Sequence, residues 1–564
     1  MFWLTDKLVG MVSPSRLDNM GLVQVYWKFC KGVIRNPGEL MARNIQLTSE
    51  QLKLMIYGAK KFAGLDAEAV IVPEKGDRRF ANPAWSEQLI FDVFKQSYLL
   101  ASRYFIDLAG SADLDKKSQH KLDFFTRQAL NTLSPGNFAL SNPEVVQTTI
   151  DSKGANLVKG MQNLVGDLVA GKGKLKISMV DKSQFEIGRN IATSPGKVVF
   201  ENEMMQLIQY SPTTERVFKR PLVIFPPWIN KFYILDLSPK NSFIRWAVGQ
   251  GYTVFVVSWV NPDKRLAQKT FEDYLNEGIF TALDAIEAAT GEKSVNAIGY
   301  CIGGTLLACA LSQMAATGDK RIHSATYFTT QVDFSEAGDL MVFIDEDQLD
   351  SLEKKMKKDG YLDSRNMSAT FNMLRSNDLI WSFVINNYLL GRPPAAFDLL
   401  YWNDDSTRMP IAMHSYYLRE MYLKNKLAEP GGIVLNGMPV DLSKVTIPIF
   451  LQSSEDDHIA PYRSVYKATR LYSGPITFML AGSGHIAGVI NSPEMNKYHF
   501  YTSPELPENV EEWIASSKRH AGSWWPYWHQ WLYRKSGPKV PARVPGDGRL
   551  VAIEDAPGRY VRMS

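Results

Sequence analysis

The residues best suited to covalent chemistry are a cysteine and its glycine neighbours, in the string GYCIGG at 299–304. An apolar β-type run (294–300) precedes the cysteine and a helical pattern (303–317) follows it. This is the strand–turn–helix context of a G-x-S-x-G nucleophile elbow, with cysteine in the serine position. Glycines are needed there because neighbouring Cβ atoms would collide with the strand and the helix. The positive end of the helix also favours a negatively charged sulfur. We predict Cys301 as a nucleophile.

A cysteine nucleophile of this type needs a base and an acid that orients it, in the chain order nucleophile, acid, histidine. His485 follows the β-type run ITFMLA (476–481) in a glycine-rich loop, so it is the predicted base. His458 is the rival, but it adjoins the best acidic group and cannot also reach over to be oriented by it. That group, in SSEDDH (453–458), again follows a β-type run. The residues alone do not separate its three acids, Glu455, Asp456 and Asp457.

The elements around these residues predict an α/β fold with a mostly parallel sheet. Apolar runs typical of buried strands alternate with helical patterns from about residue 197 onwards. More than a hundred residues separate the runs at 324–330 and 447–453, which is too long for a structureless loop. We therefore predict a folded cap insertion at about 331–445. The predicted strands lie at 198–202, 205–210, 221–225, 252–259, 294–300, 324–330, 447–453 and 476–481.

Residues 1–190 predict a separate, mainly helical N-terminal domain, and 191–564 the catalytic domain. Apolar residues recur at helical spacing in 86–109, 118–133 and 155–170. The first residues, MFWLTDKLVGMVSPSR, predict a helix that packs on the rest of the protein, with adsorption to a surface as the alternative.

Composition excludes several classes of protein. Among 564 residues, 45% are hydrophobic and 22% are charged, which is ordinary for a globular chain. A net charge of +4 is too small for a nucleic-acid-binding face. No run of eighteen apolar residues predicts a transmembrane helix, and no signal peptide is evident. Three cysteines cannot build a disulfide framework, so a cytoplasmic protein is expected.

The string GYCIGGT resembles the G-x-C-x-G-G box of the polyhydroxyalkanoate synthases, a family in the α/β-hydrolase superfamily. The likeness runs from about residue 77 to the C-terminus, and the single long chain resembles the class I (poly-3-hydroxybutyrate) enzymes. Further segments carry it, among them DRRFANPAW (77–85), PPWINKFYILDL (226–237), FDLLYWN (397–403), EDDHIAP (455–461), GSGHIAGVIN (482–491) and GSWWPYW (522–528).

The resemblance implies an acyltransferase that polymerises (R)-3-hydroxyacyl-coenzyme A, most readily 3-hydroxybutyryl-coenzyme A, into a polyester. Carried over residue by residue, its nucleophile is Cys301, its acid is Asp457 and its base is His485. It implies a homodimer and a cytoplasmic location partly at the surface of polyester granules. No nucleotide-binding fingerprint and no cluster with zinc-ligand spacing is present in the sequence, so we expect no cofactor and no metal. The alternatives are a thioesterase or depolymerase on the same three residues, and a non-catalytic granule-coat protein.

Other expected site residues follow from the fold or from their place in the chain. An oxyanion hole takes the backbone N–H of the residue after the nucleophile, Ile302, and one from PPWIN (226–230), at Ile229 or Asn230. Substrate-binding candidates are His458, Arg375 and Asn377, the last two at the cap's path for coenzyme A. The lysines of EKKMKK (353–358) and the tryptophans Trp524, Trp525, Trp528 and Trp531 fit a solvated helix face and a packed core better than a binding role.

Overall fold

The computed structural model describes residues 21–564, which form two compact units. The first contains residues 21–181 together with Ala369–Ala396, and the second contains Lys182–Ser368 and Phe397–Ser564. The division lies between Asp181 and Lys182, whereas the sequence pattern predicts a boundary at 190. The middle of the predicted cap groups with the N-terminal helices, and its flanks group with the sheet. The predicted helix at the first residues lies outside the described part.

The first unit is built mainly from helices, and a long connection with a 3-10 turn at Arg78–Phe80 precedes the helix Ala84–Glu87. Its core includes Leu54, Tyr57 and Leu100, which are all buried, and a buried ion pair joins Lys95 to Asp92 at 2.9 Å. In the returning segment, the Tyr388 hydroxyl donates to Asp167 at 2.5 Å. The helices of this unit are Leu22–Arg35, Pro37–Phe62, Ala84–Glu87, Leu89–Gly110, Lys116–Thr132, Pro143–Asp151 and Ala155–Ala170, with π-helical turns at Asn377–Trp381 and Val384–Leu389.

An eleven-stranded sheet runs through the second unit in the order β15-β14-β13-β12-β7-β6-β4-β5-β2-β1-β17. The strands from β13 to β5 in this order are parallel, and antiparallel strands extend both edges. Three two-stranded sheets complete the unit. The strands are β1 Gly196–Glu201, β2 Met205–Tyr210, β3 Arg216–Phe218, β4 Leu222–Phe225, β5 Val254–Trp259, β6 Val295–Tyr300, β7 Ile322–Phe328, β8 Tyr361–Leu362, β9 Met409–Pro410, β10 Val434–Leu435, β11 Met438–Pro439, β12 Ile449–Ser454, β13 Ile476–Ala481, β14 His499–Thr502, β15 Lys518–Ala521, β16 Lys539–Pro541 and β17 Glu554–Asp555.

Helices cover the sheet, so its central strands are buried on both faces. Every residue of β4, β5, β6 and β12 is buried, as expected for parallel strands between two helical layers. The α-helices of this unit, or extending into it, are Phe243–Gly249, Phe271–Asp273, Thr281–Thr290, Ile302–Thr317, Glu346–Asp359, Ser364–Leu374, Asp398–Asn403, Ile411–Tyr416, Tyr462–Lys467, Val510–Ser516 and Trp525–Tyr533, with π-helical turns at Tyr274–Phe280 and Tyr417–Leu423.

The observed architecture confirms the predicted α/β class and each predicted strand within a few residues. The carboxyl ends of parallel strands meet at one edge of a sheet, and in α/β folds that edge carries the functional residues. The loops after β4, β6, β12 and β13 all leave from this edge. Across residues 21–564, no helix combines the length and apolar character needed to cross a membrane.

Candidate active site

Cys301 occupies a strained turn between β6 and the helix Ile302–Thr317. Its φ of 51° and ψ of −126° lie where side chains other than glycine rarely occur, a conformation that costs on the order of 1–3 kcal/mol. The Cys301 N–H donates to the Phe328 carbonyl at 2.9 Å, which fixes the turn to β7. The side chain is partly exposed. This is the geometry of a nucleophile elbow.

The elbow glycines are required by close contacts, as the sequence predicts. A Cβ atom on Gly299 would come within 2.4 Å of the Gly304 Cα atom. A Cβ atom on Gly303 would come within 2.2 Å of the Phe225 carbonyl oxygen. The second contact also shows that the first turn of the helix packs against the end of β4. The N–H of Ile302 and the loop after β4 are therefore brought to the same place.

Two loops carry the predicted acid and base, and backbone hydrogen bonds join them. The Glu455 N–H donates to the Ala481 carbonyl at 2.8 Å, and the Asp456 N–H donates to the Ser483 carbonyl at 3.0 Å. These bonds extend the pairing of β12 with β13 beyond the strands themselves. The loop after β12 is thus held at a fixed distance from the loop that carries His485.

The structure separates the three acids that the residues alone left open. His485 Nδ1 donates to Asp457 Oδ2 at 2.7 Å, and both side chains are buried. Asp457 Oδ1 accepts from the N–H groups of Ile459 and Ala460 at 2.9 and 2.8 Å. Glu455 instead pairs with His499, at 2.8 Å. Asp457 is therefore the acid that orients His485, which leaves the imidazole Nε2 for the sulfur.

The pKa of His485 is raised above its ordinary value. Burial alone lowers the pKa of His485, but the charge and hydrogen bond of Asp457, together with hydrogen bonding to Cys301, raise it from 6.5 to about 10. Because this value exceeds the unfolded one, the protonated imidazole stabilises the fold fully below about pH 6.5. That contribution is lost as the pH rises through about 10. At neutral pH, His485 can therefore supply a proton to a leaving group.

The tryptophans near the C-terminus anchor the histidine loop. Trp524, Trp525 and Trp528 have no exposed surface, as expected for core residues. Trp524 Nε1 donates to the Gly488 carbonyl at 2.7 Å, and Trp525 Nε1 donates to the Val489 carbonyl at 2.9 Å. Gly488 and Val489 follow His485 closely in the chain. The cluster therefore acts through the position of the histidine loop.

The predicted oxyanion donors lie at the start of the helix after the elbow and in the loop after β4. Ile302 begins its helix, so its N–H has no carbonyl partner within that helix. In the described part of the chain, the N–H groups of Ile229 and Asn230 donate no backbone hydrogen bond. Both lie in the loop after β4, whose first residue, Pro226, lies against the helix start at Gly303. Backbone N–H groups in this arrangement can stabilise negative charge on a substrate oxygen.

Two buried tyrosines, Tyr417 and Tyr422, lie near the sulfur and were not singled out in the sequence. Burial raises the pKa of both hydroxyls, and the charge of Cys301 raises each further. They belong to the π-helical turn Tyr417–Leu423 and pack on Phe334. Residues five apart are about 140° apart around an α-helix. The wider i→i+5 turn brings them closer to one face, and such turns are frequent at functional sites.

The substrate-binding candidates lie in different parts of the chain. His458 is partly buried in the loop after β12, next to the acid. Arg375 and Asn377 belong to the N-terminal unit, where Arg375 pairs with Asp378 at 2.5 Å and Asn377 donates to Asn131 at 3.1 Å. The lysines at 353–358 lie on or near the exposed side of the helix Glu346–Asp359, with Met356 buried between them.

A further group that the sequence analysis did not single out holds the loop after β4. Lys231 forms an ion pair with Asp405 at 2.8 Å, and the side chain of Lys231 is 5% exposed. Nothing in the spacing of two oppositely charged residues so far apart predicts this contact. The nearby segment FDLLYWN (397–403) carries the family likeness but gives no sign of this ion pair.

The fold and the site define an enzyme of the α/β-hydrolase class, and comparison with known proteins gives the same class. The α/β hydrolase fold model matches residues 225–491. A second model, described as the N-terminus of poly-beta-hydroxybutyrate polymerase (PhaC), matches residues 76–247.

Full-length relatives define the family more narrowly. A poly(3-hydroxyalkanoate) polymerase of Methylorubrum extorquens is 50% identical, over 98% of this chain and 91% of the relative. The poly(3-hydroxyalkanoate) polymerase subunit PhaC of Rhizobium meliloti is 48% identical, over 100% and 92%. That of Cupriavidus necator is 42% identical, over 86% and 83%. The chain belongs to the poly(3-hydroxyalkanoate) polymerase family and is an acyltransferase-type enzyme.

Proposed function

We propose that this enzyme polymerises (R)-3-hydroxyacyl-coenzyme A into polyester through a thioester on Cys301, with release of coenzyme A. The observation that carries the proposal is the hydrogen bond from His485 to Asp457, in a site that also holds Cys301 at a strained elbow. Membership of the polymerase family supports the choice of reaction. The likeness to the class I enzymes favours 3-hydroxybutyryl-coenzyme A as the substrate.

The first half of the reaction moves the acyl group to the protein. His485 takes the proton of the Cys301 thiol, and the thiolate attacks the thioester carbonyl. The carbonyl oxygen takes up negative charge beside the N–H groups of Ile302 and of Ile229 or Asn230. When the carbonyl re-forms, the bond to the coenzyme A sulfur breaks. His485 gives its proton to that sulfur, and free coenzyme A leaves. One thioester replaces another, so little free energy is lost.

The second half forms the ester bond. The hydroxyl of another 3-hydroxyacyl group loses its proton to His485, and its oxygen attacks the thioester on Cys301. The sulfur leaves, the ester forms, and His485 again carries the proton needed for the next coenzyme A. Asp457 holds the imidazole in one orientation and stabilises its positive charge. An oxyester is more stable than a thioester, so this step is downhill.

Several parts of the proposal rest on the family likeness. From this likeness we propose granule association, a homodimer and a cytoplasmic location partly at the granule surface. Binding of coenzyme A by His458, Arg375 and Asn377 also stays a prediction. For Arg375 and Asn377, the contacts within the N-terminal unit would have to be exchanged for contacts with substrate.

The product of one incubation separates synthesis from hydrolysis on the same residues. Given (R)-3-hydroxybutyryl-coenzyme A, we expect release of coenzyme A together with insoluble polyester, and almost no free 3-hydroxybutyrate. Coenzyme A is measured with a thiol reagent, polyester by turbidity and by chromatography after methanolysis, and free acid in the supernatant. Stoichiometric soluble acid without polymer would identify a thioesterase, and the proposal would then be abandoned.

A further inference from the structure

The loop Pro226–Lys231, which we name the donor loop, is held by its carbonyl groups. Trp259 Nε1 donates to the Pro226 carbonyl at 2.9 Å. The remaining contacts come from the segment Trp402–Thr407, here named the clamp. The Thr407 hydroxyl donates to the Trp228 carbonyl, and the Thr407 N–H donates to the Ile229 carbonyl at 3.2 Å.

The clamp also forms a short piece of β-structure with the donor loop. Asn230 and Ser406 make an antiparallel bridge, and Trp402 Nε1 donates to the Lys231 carbonyl at 2.7 Å. Carbonyl groups along the donor loop are thus tied back, while the N–H groups of Ile229 and Asn230 keep no backbone acceptor in residues 21–564. In this arrangement the N–H groups of Ile229 and Asn230 can donate to a substrate atom.

A buried ion pair fixes the register between the clamp and the donor loop. Lys231 Nζ lies 2.8 Å from Asp405 Oδ1, with the two side chains 5% and 21% exposed. The other carboxylate oxygen accepts from the Tyr233 hydroxyl at 2.8 Å. Burial of such a pair contributes little net stability, because desolvation offsets the attraction. A buried polar pair has its clearest use in fixing how two segments align.

We propose that the Lys231–Asp405 pair and Thr407 are positioning residues for the oxyanion hole. They act by holding the N–H groups of Ile229 and Asn230 opposite the N–H of Ile302. This inference rests on the proposed function, because it assumes acylation of Cys301. It adds that the clamp, which lies inside the predicted cap insertion, sets the geometry of charge stabilisation without touching the substrate.

Two reactions of the same sulfur test the proposal in the full-length protein. Acylation by 3-hydroxybutyryl-coenzyme A develops negative charge on a carbonyl oxygen, whereas alkylation by iodoacetamide displaces iodide and develops no oxyanion. In Asp405→Asn, we expect single-turnover acylation of Cys301 to slow by roughly 10²- to 10³-fold, the loss typical of one oxyanion donor. Alkylation of Cys301 should continue at the unaltered rate.

A second variant and a matched control keep the result interpretable. Thr407→Val removes one hydroxyl and leaves no buried charge unpaired. It should slow acylation by a smaller factor than Asp405→Asn does, and leave alkylation unchanged. Glu292→Gln breaks the Arg543–Glu292 pair, which has the same 2.8 Å distance and similar exposure, 14% and 20%. Glu292 lies just before β6, at the opposite edge of the sheet. The Glu292→Gln substitution should lower the melting temperature and leave the rates of acylation and alkylation unchanged.

The outcomes separate this inference from the proposed function. Slower acylation with unchanged alkylation in Asp405→Asn and Thr407→Val supports it. Equal loss of both reactions, or acylation at the wild-type rate in either folded variant, overturns the positioning inference and leaves the proposed function standing. A wild-type protein that never acylates Cys301 overturns the proposed function, and this inference with it.

Discussion

Replacing Cys301 by serine should abolish polymer formation while leaving the protein folded. An alkoxide is much harder to generate than a thiolate, and loss of a nucleophile typically costs more than about 1,000-fold in turnover. Serine is close to cysteine in size, so the turn after β6 should persist. Coenzyme A release from 3-hydroxybutyryl-coenzyme A is the measurement, with circular dichroism and melting temperature as checks of folding.

The other two cysteines supply matched controls for this substitution. Cys309 is fully buried in the same helix, and burial raises the pKa of its thiol, which suppresses reactivity. Cys30 is exposed in the first described helix. Cys309→Ser and Cys30→Ser should keep substantial activity. Polymer formation by Cys301→Ser at close to the normal rate would mean that the nucleophile lies elsewhere.

Substitutions at His485 and Asp457 should have different effects on the two halves of the reaction. We expect His485→Gln to lose both acylation and elongation, because no other group shuttles the proton. Asp457→Asn should still acylate Cys301 slowly, since a reactive thiolate depends less on the acid than a serine does. It should fail at elongation, where a neutral hydroxyl must be deprotonated. Single-turnover coenzyme A release reports the first half, and polymer yield reports the second.

The same Asp457→Asn variant should change how His485 titrates. Asp457 is the main influence that raises the pKa of His485 towards 10, and burial opposes it. With the carboxylate removed, the imidazole pKa should fall well below its wild-type value, as followed by NMR of labelled histidine. Asp456→Asn is the control, because its side chain is not the partner of His485. Loss of elongation in Asp456→Asn, with full activity in Asp457→Asn, would assign the acid to Asp456.

The central strands could be predicted from the sequence because burial on both faces leaves continuous apolar runs. The strands β14 and β15 could not, because HFYT and KRHA are short, mostly polar, and pair only at the edge of the sheet. Two-residue strands such as β17 leave no pattern at all. Pairing with a neighbour creates these elements, and local propensity does not.

The predicted cap shows a second limit of sequence reasoning. An insertion between β7 and β12 is evident from its length, yet its middle segment Ala369–Ala396 groups with the N-terminal helices. The aromatic pattern of that segment indicates that it packs, but it does not indicate against what. Contacts such as that of Tyr388 with Asp167 join residues more than two hundred positions apart. Such long-range pairs leave no signal in one sequence.

In the site itself, residue types and strand ends predict the cysteine and the histidine, because elbows and strand-end loops have recognisable patterns. The pattern of residues does not single out the acid. Three carboxylates follow β12, and only the turn of that loop decides that Asp457 points to His485. The clamp on the donor loop was missed for the same reason, since Lys231 and Asp405 come together only in the folded chain.

The most direct test of the account is the chemical state of Cys301 during the reaction. Protein mixed with less than one equivalent of (R)-3-hydroxybutyryl-coenzyme A is quenched in acid, digested and examined by mass spectrometry. We expect the peptide containing Cys301 to carry one or more hydroxybutyryl units, removable by hydroxylamine, with Cys309 unmodified. Coenzyme A release and polymer growth in the wild-type protein with Cys301 never acylated would contradict the thioester mechanism.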